Sequence, residues 1–245
     1  SVYNGERFLE ASLRSLVAQT FQDFELIIVD DGSTDDTEKI LATHCSWLSP
    51  LNCTVLSQQR AGLTVSLNRA IRRARAPLIA RMDADDIARP ARLALQVREF
   101  TERPAWVLVG TAYDVIDEEG YAIRRVIPPT SDAALRRALI RRNPFMHASV
   151  MFRRLAFDAV GGYDESFPVG QDWDLWLRLA AAGKIGNLPT VLMLRREWSG
   201  QVSQQHRRAQ RWAGVVARWR TIRRGQYPKR SAVRLIAPAA RCALP

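Results

Sequence analysis

The first hundred residues alternate between two hydrophobic periods, and that alternation most restricts the fold. Phe8-Leu9, Leu13 and Leu16-Val17 recur at helical spacing, and Phe24-Glu25-Leu26-Ile27-Ile28-Val29 then forms a short β-rich run. The run stops at Asp30-Asp31-Gly32-Ser33-Thr34-Asp35-Asp36, where Gly32 permits a tight turn and Ser33 or Thr34 can cap a helix over residues 37–42. Val55-Leu56 reads as the next strand, Gly62 as a turn, and residues 63–75 as a helix with Leu63, Leu67, Ala70-Ile71 and Ala74 inward. Leu78-Ile79-Ala80 is the third strand. The order α, β, α, β, α, β predicts an α/β fold, a mostly parallel Rossmann-like sheet flanked by helices. Such sheets place their ligands beyond the C-terminal ends of the strands.

At one of those ends stand three carboxylates within four residues, Asp83, Asp85 and Asp86. They repel one another unless a cation sits among them. An oxygen-only set suits a hard divalent ion, Mg²⁺ or Mn²⁺, and Mg²⁺ is commonly shared between carboxylates and a substrate's phosphates. Taken alone, the cluster reads equally as an acidic turn capping the next segment. On an extended segment, at most two of the three would face one ion.

The second half is less periodic. Trp106-Val107-Leu108-Val109-Gly110 and Ser149-Val150-Met151-Phe152 read as strands, residues 121–126 as a hairpin arm and residues 132–141 as a helix. Gly161-Gly162-Tyr163-Asp164 punctuates the chain before an amphipathic helix opening at Gln171-Asp172-Trp173-Asp174. Two basic stretches close it, residues 204–224 and 231–241, the first a helix with Trp212, Val215-Val216 and Trp219 on its apolar side. The chain opens at Ser1-Val2-Tyr3-Asn4-Gly5 as a loop does, so a first strand is expected to be missing.

Charge separates body from tail. The net charge is +11, and residues 201–245 hold eleven basic residues and no acid, which leaves residues 1–200 neutral. A neutral body with a basic tail points to an electrostatic contact made by the tail, with an anionic membrane surface or a polyanion. It makes nucleic-acid binding by the body unlikely. No apolar run approaches the roughly 20 residues that span a bilayer, and no signal-peptide pattern is present, so a cytoplasmic protein, peripheral at the inner membrane face, is expected. Cys45, Cys53 and Cys242 are odd in number and lack C-x-x-C spacing, so reduced thiols are expected.

In these residues the chain resembles the family 2 inverting glycosyltransferases of the GT-A fold, nucleotide-diphosphosugar enzymes of bacterial polysaccharide synthesis. The resemblance runs over residues 1–203, through Val2-Tyr3-Asn4-Gly5-Glu6, Gln19-Thr20-Phe21, Asp30-Asp31-Gly32-Ser33, Gly62 with Asn68, Asp83-Ala84-Asp85-Asp86 with Pro90 and Arg92-Leu93, His147, Gly161-Gly162-Tyr163-Asp164 and Gln171-Asp172-Trp173-Asp174. It implies a catalytic domain at 1–203, with a nucleotide half near 1–100 and an acceptor half near 101–203, and a basic helical extension at 204–245.

It also implies roles. Tyr3 packs on the nucleobase, Glu6 belongs to the same nucleotide loop, and Asp31 accepts a hydrogen bond from the base, which selects an N–H edge as in uracil or thymine. Asp83 contacts the ribose or diphosphate, Asp85 and Asp86 hold the metal, and Arg196 supplies charge to the diphosphate. Asp172 is the general base, with Asp174 its rival, and His147 is a substrate contact or a structural histidine. The reaction implied is inverting transfer from a UDP- or dTDP-sugar to a glycan or lipid-linked acceptor. Two departures stand out: Gln171 where many relatives carry Glu, and Trp198 where they often carry His in an Arg-x-His-x-Gly-Ser-x-Ser segment. The alternatives are an inactive nucleotide-sugar-binding relic, a nucleotidyltransferase or diphosphosugar hydrolase, and a tail that binds nucleic acid.

Overall fold

The structure is a computed structural model that describes residues 1–45, 52–201, 207–235 and 239. The expected helix–strand alternation is present. Helix α1 (Leu9–Val17) leads to β1 (Leu26–Asp30), α2 (Thr37–Cys45) to β2 (Cys53–Ser57), and α3 (Leu63–Arg73) to β3 (Leu78–Ala80). Beyond them come β4 (Ile87–Ala88), α4 (Arg92–Glu102), β5 (Trp106–Ile116), β6 (Ala122–Val126), α5 (Asp132–Leu139), β7 (Met151–Arg153), α6 (Arg154–Ala159), α7 (Gln171–Ala182), β8 (Lys184–Arg196) and α8 (Arg207–Arg223).

Among the described residues, β1 and β2 form a parallel pair, and the other strands form a sheet of order β3-β7-β5-β8-β4, with β6 on β5. The expectation of a mostly parallel sheet is corrected to a mixed one. Of the strand pairs, β1–β2 and β5–β8 are parallel and the other four antiparallel. A parallel pair needs a long crossover, and the chain supplies one between β5 and β8, whereas β5 and β6 are joined as a hairpin. Strand β8 escapes the sequence pattern because Gly186 and Pro189 interrupt it. Its register on β5 jumps from Leu188 to Val191, and this irregularity absorbs Pro189.

Two cores result. The larger centres on α7, whose Leu175, Trp176, Leu177 and Leu179 are fully buried against Leu108, Phe152 and Ile185 of the sheet and Leu67 and Ile71 of α3. A helix apolar on nearly every side must be covered on every side. Truncating Trp176 there costs about 3–5 kcal/mol. The smaller gathers Val2, Leu9, Leu13, Ile28 and Leu41 around β1. Val2 bridges in parallel to Asp30, with its amide donating to the Val29 carbonyl at 2.8 Å. No described strand lies between β1 and β3, and a cavity of about 860 Å³ lined by residues of both strands separates them.

Helix α8 divides the apolar side expected for it, with Val215 and Val216 inward. It docks on the body through Ala213, Gly214 and Ala217, which pack against α7, while Trp212 and Trp219 stay 54 % and 48 % exposed. Small residues allow the close approach, and the indoles point away. The 203/204 boundary, Arg241, Cys242 and residues 236–238 and 240 of the second basic stretch lie outside the described residues.

Candidate functional site

The loop after Val2 and the loop after β1 lock onto each other. The Asn4 amide donates to Ser33 Oγ at 3.0 Å while Asn4 Oδ1 accepts from the Thr34 amide at 2.9 Å. The Glu6 amide donates to Asp35, and the Glu6 carboxylate accepts from the Asp36 amide at 3.0 Å, at the start of α2. Glu6 thus serves as a helix cap. Asp30 holds its own loop by accepting from the Ser33 hydroxyl at 2.6 Å. Tyr3 stands 41 % exposed with the Arg60 guanidinium over its ring at 3.1 Å.

Asp31 is buried, its amide donating to the Val2 carbonyl at 2.9 Å. It accepts from the amides of Ala61 at 2.8 Å and Gly62 at 2.9 Å and from Gln58 Nε2 at 2.6 Å. Burial acts to raise its pKa, but these donors outweigh it and hold the carboxyl below its ordinary value. The Ser66 hydroxyl adds to the same effect, so the carboxylate is surrounded by donors.

At the end of β3 the segment is a turn and not an extended strand, with the Asp86 amide reaching back to the Asp83 carbonyl at 3.4 Å. This corrects the two-carboxylate limit, since oxygens of Asp83, Asp85 and Asp86 all lie within 4.8 Å of one another. Burial first, and the Asp83 charge second, raise the pKa of Asp85. Burial and the charges of both neighbours raise Asp86 well above its ordinary value. A partly buried, self-repelling, oxygen-only set of this kind fits a hard divalent cation.

The end of β8 covers this turn. The Arg196 amide donates to Asp86 Oδ1 at 2.9 Å, and the Arg196 guanidinium reaches the carbonyls of Asp85, Asp117 and Glu118. Arg196 therefore clamps the acidic turn to the β5–β6 hairpin. Trp198 Nε1 donates to Asp85 Oδ2 at 2.9 Å, Gln201 Nε2 does so at 3.1 Å, and the Trp198 ring meets Phe8 edge-on at 5.4 Å. Trp198 thus presents an indole donor to the acidic turn.

Helix α7 opens at Gly170, whose φ of 73° is the left-handed conformation that glycine adopts without strain. Asp172 lies in the first turn, half-buried, and accepts from Asn143 Nδ2 at 2.6 Å. Burial raises its pKa, partly offset by the Trp173 amide and by Asn143. Asp174 points the other way, buried and paired to Arg178 at 2.7 Å. Of the two carboxylates, Asp172 is the one not locked in an ion pair. His147 shares a 2.8 Å hydrogen bond with the Tyr163 hydroxyl and packs edge-on against Trp176, and burial lowers its pKa well below the ordinary range.

Several participants escape the sequence. Arg81 is buried and ion-paired to Asp83, and its charge acts on Asp86, Tyr163, His147 and Asp172, so the acidic turn and Asp172 share one electrostatic neighbourhood. Asn143 gave no signal at all. Other quoted residues prove to be fasteners: Asn68 grips the Tyr163 main chain, and Gln19 ties α1 to the Arg89 carbonyl and the Leu93 amide. Arg92 is buried against the carbonyl of Arg81 at 2.6 Å, and burial lowers its pKa to about 9.

A family model described as glycosyl transferase family 2 matches residues 1–161 of this chain. The chain belongs to that family. Among its relatives, the amylovoran biosynthesis glycosyltransferase AmsE of Erwinia amylovora is 34 % identical over 84 % of this chain and 77 % of its own length. The putative glycosyltransferase EpsE of Bacillus subtilis is 33 % identical over 80 % of this chain and 70 % of its own length. As a family 2 glycosyltransferase the chain stands among enzymes of polysaccharide biosynthesis. Solved structures agree on the GT-A fold. S. aureus TarS 1-349 in complex with UDP-GlcNAc superposes with a TM-score of 0.69 at 18 % identity, over 88 % of this chain and 64 % of that one. The mannosyltransferase PcManGT from Pyrobaculum calidifontis, in complex with GDP-Man and Mn²⁺, gives 0.69 at 20 % identity over 99 % and 73 %. Among the described residues no helix is long and apolar enough to cross a membrane.

Proposed function

We propose that this family 2 member is an inverting transferase that moves a sugar from a uridine or thymidine diphosphosugar to an acceptor hydroxyl. The observation that carries the reading is the pairing of two carboxylate centres in one electrostatic neighbourhood, a three-Asp turn and an Asp172 raised by burial, joined by Arg81. Tyr3, beside the Asp31 loop, offers a face to the nucleobase, and Asp31, an ionised and acceptor-only carboxylate, favours a base with an N–H edge. Glu6 shapes that loop through its cap on α2.

Asp85 and Asp86, with Asp83 beside them, would hold Mg²⁺ or Mn²⁺. Such an ion, when bound, neutralises charge on the departing nucleoside diphosphate. Arg196 keeps the turn in place through main-chain carbonyls, and its role at the diphosphate is positional. Asp172 takes the proton from the acceptor hydroxyl as that oxygen attacks the anomeric carbon from the face opposite the diphosphate. A carboxyl whose pKa is raised toward working pH is the better base. A single displacement of this kind inverts the anomeric centre. Residues 1–203 form the catalytic unit on this reading, and residues 204–245 a basic extension, whose helix α8 docks on it.

The test is isothermal titration of the full chain with UDP, dTDP and GDP, each with and without Mn²⁺, in the wild type and in Asp85→Ala. Metal-dependent binding of UDP or dTDP that disappears in the variant is expected. A folded protein that binds none of the three nucleotides would sink the reading.

A further inference from the structure

Helix α8 has two faces of different chemistry, and the outer one matches an anionic bilayer. Trp212 and Trp219 are seven residues apart, two helical turns, so both indoles emerge on one side. Arg223, four residues beyond Trp219, continues the same stripe and is exposed. Arg224, Lys229, Arg230 and Arg234 follow, all exposed, and no acidic side chain occurs between residues 201 and 245 to answer them within the tail.

The inner face is already satisfied. Arg218 is buried, lies over the Trp173 ring at 4.6 Å and donates to the Gly214 carbonyl at 2.7 Å. Arg220 pairs with Asp164 at 2.8 Å. A Cβ added at Gly170 would meet Ala213 at 2.9 Å. The helix is therefore fastened to the body by one set of residues and presents an independent set outward.

We infer that the Trp212–Trp219–Arg223 stripe and the basic residues after it seat this protein on an anionic lipid surface. Two exposed indoles beside several cations are the composition of an interfacial helix, where indoles sit at headgroup depth and each cation adds an attraction. Helix α8 packs on Trp173, the residue next to Asp172, so seating its outer face holds the first turn of α7 about one helix diameter, 10–12 Å, from the lipid. Resting on the transferase reading, that placement favours a lipid-linked acceptor over a soluble glycan.

The experiment is co-sedimentation of the full chain with vesicles of phosphatidylcholine alone or mixed with phosphatidylglycerol, read together with tryptophan emission. Binding to the mixed vesicles with a blue shift is expected, with little on phosphatidylcholine alone. The variant Trp212→Ser/Trp219→Ser should lose the shift, and Lys229→Glu/Arg230→Glu should weaken binding by about fivefold for each basic residue removed. Equal partitioning to both vesicles overturns the inference. So does anionic binding without a blue shift, matched by equal affinity for duplex DNA, which would mark a general polyanion contact. Calorimetric UDP titration of the same variants keeps the readings apart: nucleotide binding intact while vesicle binding is lost leaves the transferase reading standing. Vesicle binding in a protein that takes no nucleotide leaves only the surface.

Discussion

The acidic turn and Asp172 are both at least half-buried carboxylate centres, yet their charge is uncomfortable for different reasons. In the turn, three carboxylates share one point, so the Asp83 charge raises Asp85, both raise Asp86, and the cluster favours a cation. Asp172 stands alone, raised by burial and eased by one amide side chain and a backbone N–H. The first arrangement is built to recruit charge and the second to accept a proton. An isolated carboxylate can be poised as a base, whereas a clustered one would be held ionised by whatever ion it binds.

The most forceful way to break this contrast is Asp85→Ala. If the turn recruits an ion that stabilises the leaving diphosphate, the variant loses about three orders of magnitude in transfer rate and its Mn²⁺ response together. A variant that keeps both would remove the turn from the chemistry.

Asp172→Asn probes the other centre. Turnover should fall by about 10²- to 10⁴-fold while nucleotide binding, measured by calorimetry, stays unchanged. Stability should move the opposite way. The pKa of Asp172 is raised in the folded protein, so its contribution is fully present below the unfolded value and is lost as pH rises through the folded one. At neutral pH the ionised, desolvated side chain is a cost, and replacing it with Asn should raise the thermal midpoint. The same shift sets the rate profile: kcat/KM in the wild type should rise with pH through a value above 3.8, the ordinary value for this carboxyl. A flat profile, or a variant less stable than wild type at neutral pH, would contradict the assignment.

The difference between the centres also explains what could be read in the sequence. The turn was legible because its ligands lie within four residues and its strand ends in a simple apolar run. The convergence of all three was not, because it depends on a turn closed by the Asp86 amide. Around Asp172 the determinants are distant in sequence. Asn143 reaches it across 29 positions, and Arg81 acts on it from the end of β3. Strand β8 was hidden by Pro189, and the outward turn of Trp212 and Trp219 by the small residues that α8 uses to dock. Helical periodicity locates an apolar stripe but does not say which of two stripes meets the body.

Arg218→Ala should then show that the tail helix supports Asp172 and not the turn. Arg218 stacks on Trp173 and donates toward the carbonyls of Ile140 and Arg141, close in sequence to Asn143. Its loss should cost about 2–3 kcal/mol of stability, read by denaturant unfolding. Transfer should slow while UDP–Mn²⁺ affinity holds. An equal loss of nucleotide affinity would mean that the two centres are not separable through the tail.

The smallest expected effect sits where the turn meets β8. Trp198→His restores the residue that relatives often carry there, and it exchanges an indole that can only donate for an imidazole that can also accept. In the present arrangement Trp198 and Gln201 donate to the same Asp85 oxygen, and those hydrogen bonds lower the pKa that burial and Asp83 raise. Removing the indole donor should weaken the hold on Asp85 in the metal-free protein, while a neutral imidazole adds a ligand atom for the ion. Both changes favour metal binding. Mn²⁺ affinity, followed by calorimetry with UDP present, should rise by a few-fold, and the pH profile governed by Asp172 should not move. A shift in that profile would show that Asp85 and Asp172 are coupled more tightly than their separate environments imply, with Arg81 as the link to examine.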